Sequence, residues 1–272
     1  MNQTVEAGKT LLVDGPASVR VVSGKAEVLG LAVKQAGRIV VREGLRLPFF
    51  VAKTASLDVS LGENASVEEV EGDTVPVSWV DAVEVLMGFQ KPTVAMVVGK
   101  ADSGKTSFCI YLVNKLVNPN QSCNFRRRFR AIQHRSPVHG RLCSHTKPLT
   151  ELYDLKARNA FFVGVTSPSE AIIKTIEGLA LIKAEVLDVT ADFVVVNTDG
   201  WVEGEEAVKY KLQLAEMLEP DGVVCIRQKN ELESLLAALG KYRTIEIKSF
   251  WLLNSAAWKS ARTCGNGATR NI

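Results

Sequence analysis

The chain has 272 residues, 46% hydrophobic and 23% charged, with a formal net charge of +3. That mixture describes a globular protein able to bury a core, and it excludes collagen-like, fibrous and wholly disordered classes. No apolar run reaches the roughly eighteen residues of a membrane-spanning helix, and Met1–Glu6 lacks the basic and apolar regions of a signal peptide, so the expectation is a cytoplasmic chain, with no membrane partner and five reduced cysteines.

The first 75 residues are rich in Val, Leu and Gly, alternate as in Ser18-Val19-Arg20-Val21, and lack a helical stripe. They predict a small all-β domain of sandwich or barrel type. Its strands are expected at Leu11–Asp14, Ser18–Val22, Ala26–Ala32, Arg38–Arg42, Phe49–Ala52 and Leu57–Leu61, with turns at Ser23-Gly24 and Glu43-Gly44. Glu63–Thr74 is polar and acidic and reads as a linker, after which Ser78 is placed to cap a helix over Trp79–Met87. From Lys91 strands and helices alternate, the pattern of an α/β domain whose parallel sheet is flanked by helices. Strands are expected at Thr93–Val98, Ala160–Val165, Phe193–Asn197, Gly222–Ile226 and Thr244–Lys248. Helices are expected at Thr106–Leu116, Ser169–Lys183, Glu203–Leu218 and Asn230–Leu239. The domains expected are thus 1–75 and 76–249, with anomalous stretches at 118–146 and 250–272.

Those two stretches stand out by charge. No acid lies between Asp102 and Glu151, and this gap holds Arg126, Arg127, Arg128, Arg130, Arg135 and Arg141 together with His134, His139 and His145. No acid follows Glu246, while the tail from Phe250 carries Lys259, Arg262 and Arg270.

Gly99-Lys100-Ala101-Asp102-Ser103-Gly104-Lys105-Thr106 fits the G-x-x-x-x-G-K-[ST] phosphate loop between an apolar strand and an amphipathic helix. Its glycines let successive N–H groups face the phosphates of ATP or another nucleoside triphosphate, and the helix dipole adds positive potential. Lys105 is the candidate for the β and γ phosphates, the Thr106 hydroxyl for Mg²⁺, and Ser107 for the end of the cradle. The fold expected is therefore of P-loop NTPase type. Asp192–Gly204 runs a buried strand into a glycine-containing turn at the carboxyl edge of the sheet, where Trp201 either stacks a base or packs on the following helix. In Phe161–Ser169, the hydroxyls either cap a helix or touch a ligand.

Together the G-K-A-D-S-G-K-T, F-F-V-G-V-T-S-P and V-V-V-N-T-D-G-W-V-E-G segments resemble the polynucleotide 5′-hydroxyl kinases, a family that includes archaeal RNA kinases and the kinase-like subunit of the pre-mRNA cleavage complex. Gly24–Gly30 is similar to that family's β domain. The resemblance implies transfer of the ATP γ-phosphate to a 5′-hydroxyl of RNA or DNA, other RNA-processing proteins as partners, and Thr166, Ser167 and Trp201 near the substrate. It also implies a D-x-D-x-G-Q-S strand after the loop, whose carboxylates assist Mg²⁺ and take the hydroxyl proton, and arginines in a lid.

Where that motif belongs, the sequence has Cys123–Pro137 without a carboxylate. Encoded with suitable wobble bases and read one base later, the run from Cys123 becomes A-I-F-D-G-D-F-G-Q-S-S-I-G-P-P. Asn254–Ala261, read in the other shifted frame, can give Q-R-S-V-E-K-R, similar to the lid. The expectation is a frameshifted kinase with an unpacked segment, a gap where a central strand belongs, and much of a C-terminal domain missing. Rival readings of the insert are a zinc site from Cys123, His134, His139, Cys143 and His145, poorly spaced for it, and a phosphate-gripping arginine loop. Rival functions are a catalytically inactive ATP-binding scaffold of an RNA-processing complex and an NTPase that hydrolyses without an acceptor.

Overall fold

The computed structural model describes residues 1–117, 129–136, 139–145, 150, 157–165, 167–187 and 191–250. The chain divides into two compact units, Met1–Val75 with Phe250, and Pro76–Ser249.

The first unit is an antiparallel sheet of β1 (Asn2–Val5), β2 (Lys9–Asp14), β3 (Ala17–Val28), β4 (Leu31–Val33), β5 (Arg38–Val41), β6 (Arg46–Leu61) and β7 (Val67–Glu71). Its order is β4-β3-β6-β2-β7, with β1 joined to β6 and β5 to β3. Alternation decides which side is core: Val19, Val21, Phe49, Val51, Leu57 and Val59 are all buried. Three expectations are corrected. Phe49–Ala52 and Leu57–Leu61 belong to one strand, because exposed Ala52, Lys53 and Thr54 interrupt the apolar pattern while the pairing to β3 runs on through register shifts. Ser23-Gly24 is no turn but an irregularity inside β3, where Gly24 has φ +83° and an added Cβ would lie 2.6 Å from the Thr54 carbonyl oxygen. The reversal comes instead at Leu29-Gly30, both at positive φ. The supposed linker contains β7, a charged edge strand that pairs antiparallel with β2 and offers Glu69 to Lys9 at 3.0 Å.

The second unit holds α1 (Val77–Met87), β8 (Thr93–Gly99), α2 (Lys105–Leu116), β9 (Phe129–Ser136), β10 (His139–His145), β11 (Ala157–Phe162), α3 (Ile172–Leu187), β12 (Phe193–Asn197), α4 (Glu205–Leu218), β13 (Gly222–Arg227), α5 (Glu233–Ala238) and β14 (Thr244–Lys248). Sheet order is β11-β10-β9-β12-β8-β13-β14. The run from β9 to β14 is parallel, and β10 and β11 add an antiparallel edge. Every residue of β8 and β12 is buried, as expected of strands covered on both faces. Met96, Val98, Val194, Val196, Val223 and Cys225 share one core with Leu179 and Ile182 of α3, Tyr210 and Leu214 of α4 and Leu235 of α5. On the α1–α2 side, Trp79 meets Phe108 edge-on at 5.3 Å between ring centroids and donates its indole N–H to the Lys248 carbonyl at 2.9 Å.

Two further expectations change here. Ser78 does not cap α1; Pro76 takes that position, and the Ser78 hydroxyl accepts the Lys248 N–H at 3.1 Å. The predicted gap in the sheet is filled, because the backbone of β9 pairs in parallel along all of β12. Backbone pairing does not depend on side-chain identity, and a buried central strand needs a partner for its N–H and C=O groups. The family motif can be missing without leaving that edge open. The tail from residue 251, the arginines at 126–128 and Cys123 lie outside the described residues, as do the side chains of Arg130, His134, Arg135, His139, Arg141, Cys143 and His145. Among the described residues, no helix is long and apolar enough to cross a membrane.

In the first unit Arg46, its side chain 8% exposed, binds Asp14 through two hydrogen bonds of 2.6 and 2.7 Å. Burial alone would raise the Asp14 carboxyl, but hydrogen bonds from Arg46 and Ser66 outweigh it and hold the group below its ordinary 3.8. Because the folded value is depressed, the contribution is full above pH 3.8 and is lost as pH falls through the lower folded value. Arg46→Ala should lower stability in urea unfolding at pH 7 by roughly 2–3 kcal/mol, with the difference shrinking in acid. An unchanged midpoint would contradict this role.

Candidate functional site

β8 delivers the chain to Gly99, and α2 begins six residues later at Lys105. The turn between them is left-handed at Asp102 (φ +57°) and Gly104 (φ +98°). At Gly104 glycine carries that conformation without steric cost. Gly99 is fixed by space: an added Cβ would lie 2.6 Å from the Ser103 Oγ and 3.0 Å from the Ile226 carbonyl oxygen. Ser103 is fully buried, and its Oγ has no hydrogen-bond partner among the described residues. The outer side of the loop is held by β14 and the β13 turn, since the Ser249 hydroxyl donates to the Ser103 carbonyl at 2.8 Å and Gln228 Nε2 to the Asp102 carbonyl at 3.4 Å.

Lys105 curls back over this cradle and donates from Nζ to the Gly99 carbonyl at 2.8 Å and the Lys100 carbonyl at 2.6 Å. Its ammonium is pulled down to about 8, first by burial and then by the positive charge of Lys211, with Asp199 partly offsetting both. Thr106 and Ser107 are half-buried on the first turn of α2. The leading N–H groups of any helix lack intrahelical partners, so this turn presents donors and positive potential together. The Thr106 hydroxyl accepts from Asn197 Nδ2 at 3.3 Å, across from the end of β12.

β12 ends in Asn197-Thr198-Asp199-Gly200-Trp201. The Thr198 hydroxyl donates to the Val97 carbonyl at 2.8 Å, tying this turn to β8. Gly200 abuts the loop, where an added Cβ would lie 2.6 Å from the Ala101 nitrogen. Asp199 is enclosed by its own partners: Tyr210 donates to Oδ2 at 2.9 Å, the Lys211 ammonium lies 2.8 Å from Oδ2, and the Trp201 N–H reaches Oδ1 at 3.0 Å. Glu203 is paired with Lys100 at 2.8 Å.

The loop residues Gly99–Ser107 and the Trp201 turn therefore meet at one edge of the sheet, at the strand ends where such folds bind ligands. Trp201 packs on α4, stacking on Tyr210 with ring centroids 5.6 Å apart and planes 27° from parallel. The Ser167 hydroxyl faces that of Ser169 at 2.7 Å, beside the short 3₁₀ turn Pro168–Glu170. Thr166 lies outside the described residues. Sequence reading passed over Asn197, Asp199, Tyr210 and Lys211 as individual site residues. Lys211 carried a readable signal: with Ala207, Tyr210, Leu214, Ala215 and Leu218 it lies on the buried stripe of α4, where a lysine is out of place. Among the described residues no group of three or more His, Cys, Asp or Glu could hold a metal ion.

Residues 141–260 match the family model for the P-loop of the mRNA cleavage and polyadenylation factor CLP1, a stretch that begins beyond the glycine loop. The polyribonucleotide 5′-hydroxyl-kinase of Methanocaldococcus jannaschii is 28% identical over 182 residues, 65% of this chain and 49% of that protein. The corresponding kinase of Pyrococcus abyssi is 29% identical over 183 residues, covering 64% and 48%. The CLP1 homolog of Brugia malayi is 27% identical over 252 residues, covering 84% and 58%. The chain spans about half the length of the archaeal relatives. The solved structure of wild-type Clp1p with Pcf11p superposes with a TM-score of 0.73 at 14% identity, over 97% of this chain and 70% of that one, and shows the same fold. By sequence and by fold, the chain is a distant relative of the CLP1 P-loop family and of the archaeal polyribonucleotide 5′-hydroxyl kinases.

Proposed function

We propose that this chain is an ATP-binding polynucleotide 5′-hydroxyl kinase whose transfer of the γ-phosphate to the 5′-hydroxyl of RNA, or of DNA, is impaired in the sequence as it stands. The observation that carries the reading is the cradle itself: a glycine loop closed by Ser103, Ile226 and Ala101, with Lys105 and Thr106 at its mouth. Lys105 would exchange its two carbonyl contacts for the β and γ phosphates, and the backbone of Lys100–Gly104 with the start of α2 would hold the rest of the triphosphate. The Thr106 hydroxyl would hold Mg²⁺, for which a half-buried oxygen at the helix start is a fitting donor. Bound there with the nucleotide, Mg²⁺ neutralises charge on the transferring phosphate. In this reading Met1–Val75 is the β domain and 76–249 the kinase domain. Trp201 and Ser167, with Thr166, remain the candidates for the RNA end, and the site is intracellular. Clp1p is solved in complex with Pcf11p, which makes RNA-processing proteins the partners to test.

The impairment follows from the carboxylates. Transfer needs a base for the attacking hydroxyl, yet of the described carboxylates on the β12 turn Asp199 is committed to Tyr210, Lys211 and the Trp201 N–H, while Glu203 pairs with Lys100 at the surface. That commitment favours, as the second reading, an ATP-binding scaffold without turnover. We propose that the missing D-x-D-x-G-Q-S and lid segments are encoded out of frame within 118–146 and 250–272.

Incubated with γ-labelled ATP and a 5′-hydroxyl RNA oligonucleotide, the chain should bind nucleotide and label the RNA at most weakly. Lys105→Ala should abolish binding. Strong labelling would overturn the impairment, and phosphate release without labelling would make the protein a hydrolase. Resequencing the gene across the codons for Leu116–Pro148 and Lys248–Ile272 should restore the shifted frames, and a frame intact as written would sink that proposal.

A further inference from the structure

Asn197 is the last residue of β12 and is 4% exposed. An amide has two polar poles, and burial normally requires partners for both. Here only one is used. Nδ2 donates to the Thr106 hydroxyl at 3.3 Å, while Oδ1 of the same carboxamide is buried with no hydrogen-bond partner among the described residues. Leaving such an acceptor unpaired carries its full desolvation cost, so a buried orphan at the mouth of a phosphate loop calls for a ligand-side donor.

The chemistry of that donor follows from Thr106. A hydroxyl oxygen has two lone pairs. Asn197 occupies one and leaves the other for a cation, at the start of a helix that already favours anions. A divalent cation that travels with a nucleotide keeps several waters and dehydrates reluctantly, and a neutral carbonyl oxygen is an adequate acceptor for such a water. Asp199, two residues on, faces Tyr210 and Lys211.

We propose that Asn197 is a nucleotide-site residue serving the cation: its amide fixes the Thr106 hydroxyl, and its Oδ1 takes a hydrogen bond from the hydration shell of the Mg²⁺ that accompanies the triphosphate. This rests on the reading of Gly99–Thr106 as an ATP site. It supplies from β12 an outer support for the metal without a carboxylate. Outer-sphere partners of this kind typically tune metal affinity by about 10- to 100-fold.

The test is the affinity of the full chain for a fluorescent ATP analogue, measured in EDTA and again in Mg²⁺, with thermal melting as a check of folding. In Asn197→Ala the gain in affinity on adding Mg²⁺ should fall about tenfold, while affinity in EDTA stays within about twofold of wild type. Asn197→Asp, which keeps an acceptor in the same shape and adds a negative charge beside the cation, should enlarge the gain. If the alanine variant does not fold, an enlarged gain in Asn197→Asp supports the proposal and an unchanged or reduced gain overturns it. A Mg²⁺ gain unchanged in Asn197→Ala would overturn the proposal. Equal weakening of both variants with and without Mg²⁺ would do so too, by assigning Asn197 a purely structural part. A wild-type chain that binds the analogue without any Mg²⁺ gain would refute the role of Asn197 and leave the nucleotide site standing. A folded wild type that binds no analogue would refute both.

Discussion

A lysine ammonium with no exposure at all sits under the candidate site. Lys211 of α4 is placed by helical periodicity on the buried stripe, and a charge there costs several kcal/mol unless it is paired. Asp199 supplies the pair at 2.8 Å, with its own backbone carbonyl accepting from the same ammonium at 3.2 Å. Burial lowers the lysine and Asp199 pulls it back, so the two side chains hold each other in place. From that anchor the geometry propagates. The Asp199 turn is pinned to α4, Gly200 is set against Ala101, and Trp201 is laid on Tyr210. The Gly99–Lys105 loop is thus shaped from its far side by a buried ion pair.

The same pair explains why the site looks fit for binding and poorly fit for transfer. Asp199 stands at the strand end where a catalytic carboxylate could serve, but neutralising Lys211 and accepting from Tyr210 commit it. A residue that compensates a buried charge is not free to take a proton from an incoming hydroxyl. Binding needs much less: backbone N–H groups, the helix start, Lys105 and Thr106, all of which come from one continuous stretch. In the proposed reading, the chain therefore lacks the distributed parts of a kinase and keeps the stretch that would hold the nucleotide.

That division also governs what could be read from the residues in order. The loop was legible because its glycines, lysine and threonine are adjacent, β12 because it is a short apolar run, and β14 because Thr-Ile-Glu-Ile-Lys alternates between clear breaks. The β-strand pairings were not. Exposed Ala52–Thr54 hid the continuity of β6, and three glutamates hid β7 as an edge strand, because pairing is carried by backbone groups that composition does not report. The contact between Asn197 and Thr106 joins residues 91 positions apart and needed the parallel register of β12 on β8. The expectation of an open edge beside β12 failed for a related reason: it treated a lost motif as a lost strand, whereas β9 supplies the hydrogen bonds with different residues.

The central claim is that Lys105, buried and drawn down to about 8, waits for phosphate oxygens at the loop. The direct measurement is a calorimetric titration of the folded chain with Mg²⁺ and ATP near pH 8.5, in two buffers of different ionisation enthalpy. Anionic phosphates favour the protonated lysine, so the account predicts one ATP per chain, bound with proton uptake from the buffer. Binding without proton uptake would contradict the role given to Lys105, and no binding by a folded chain would contradict the site itself.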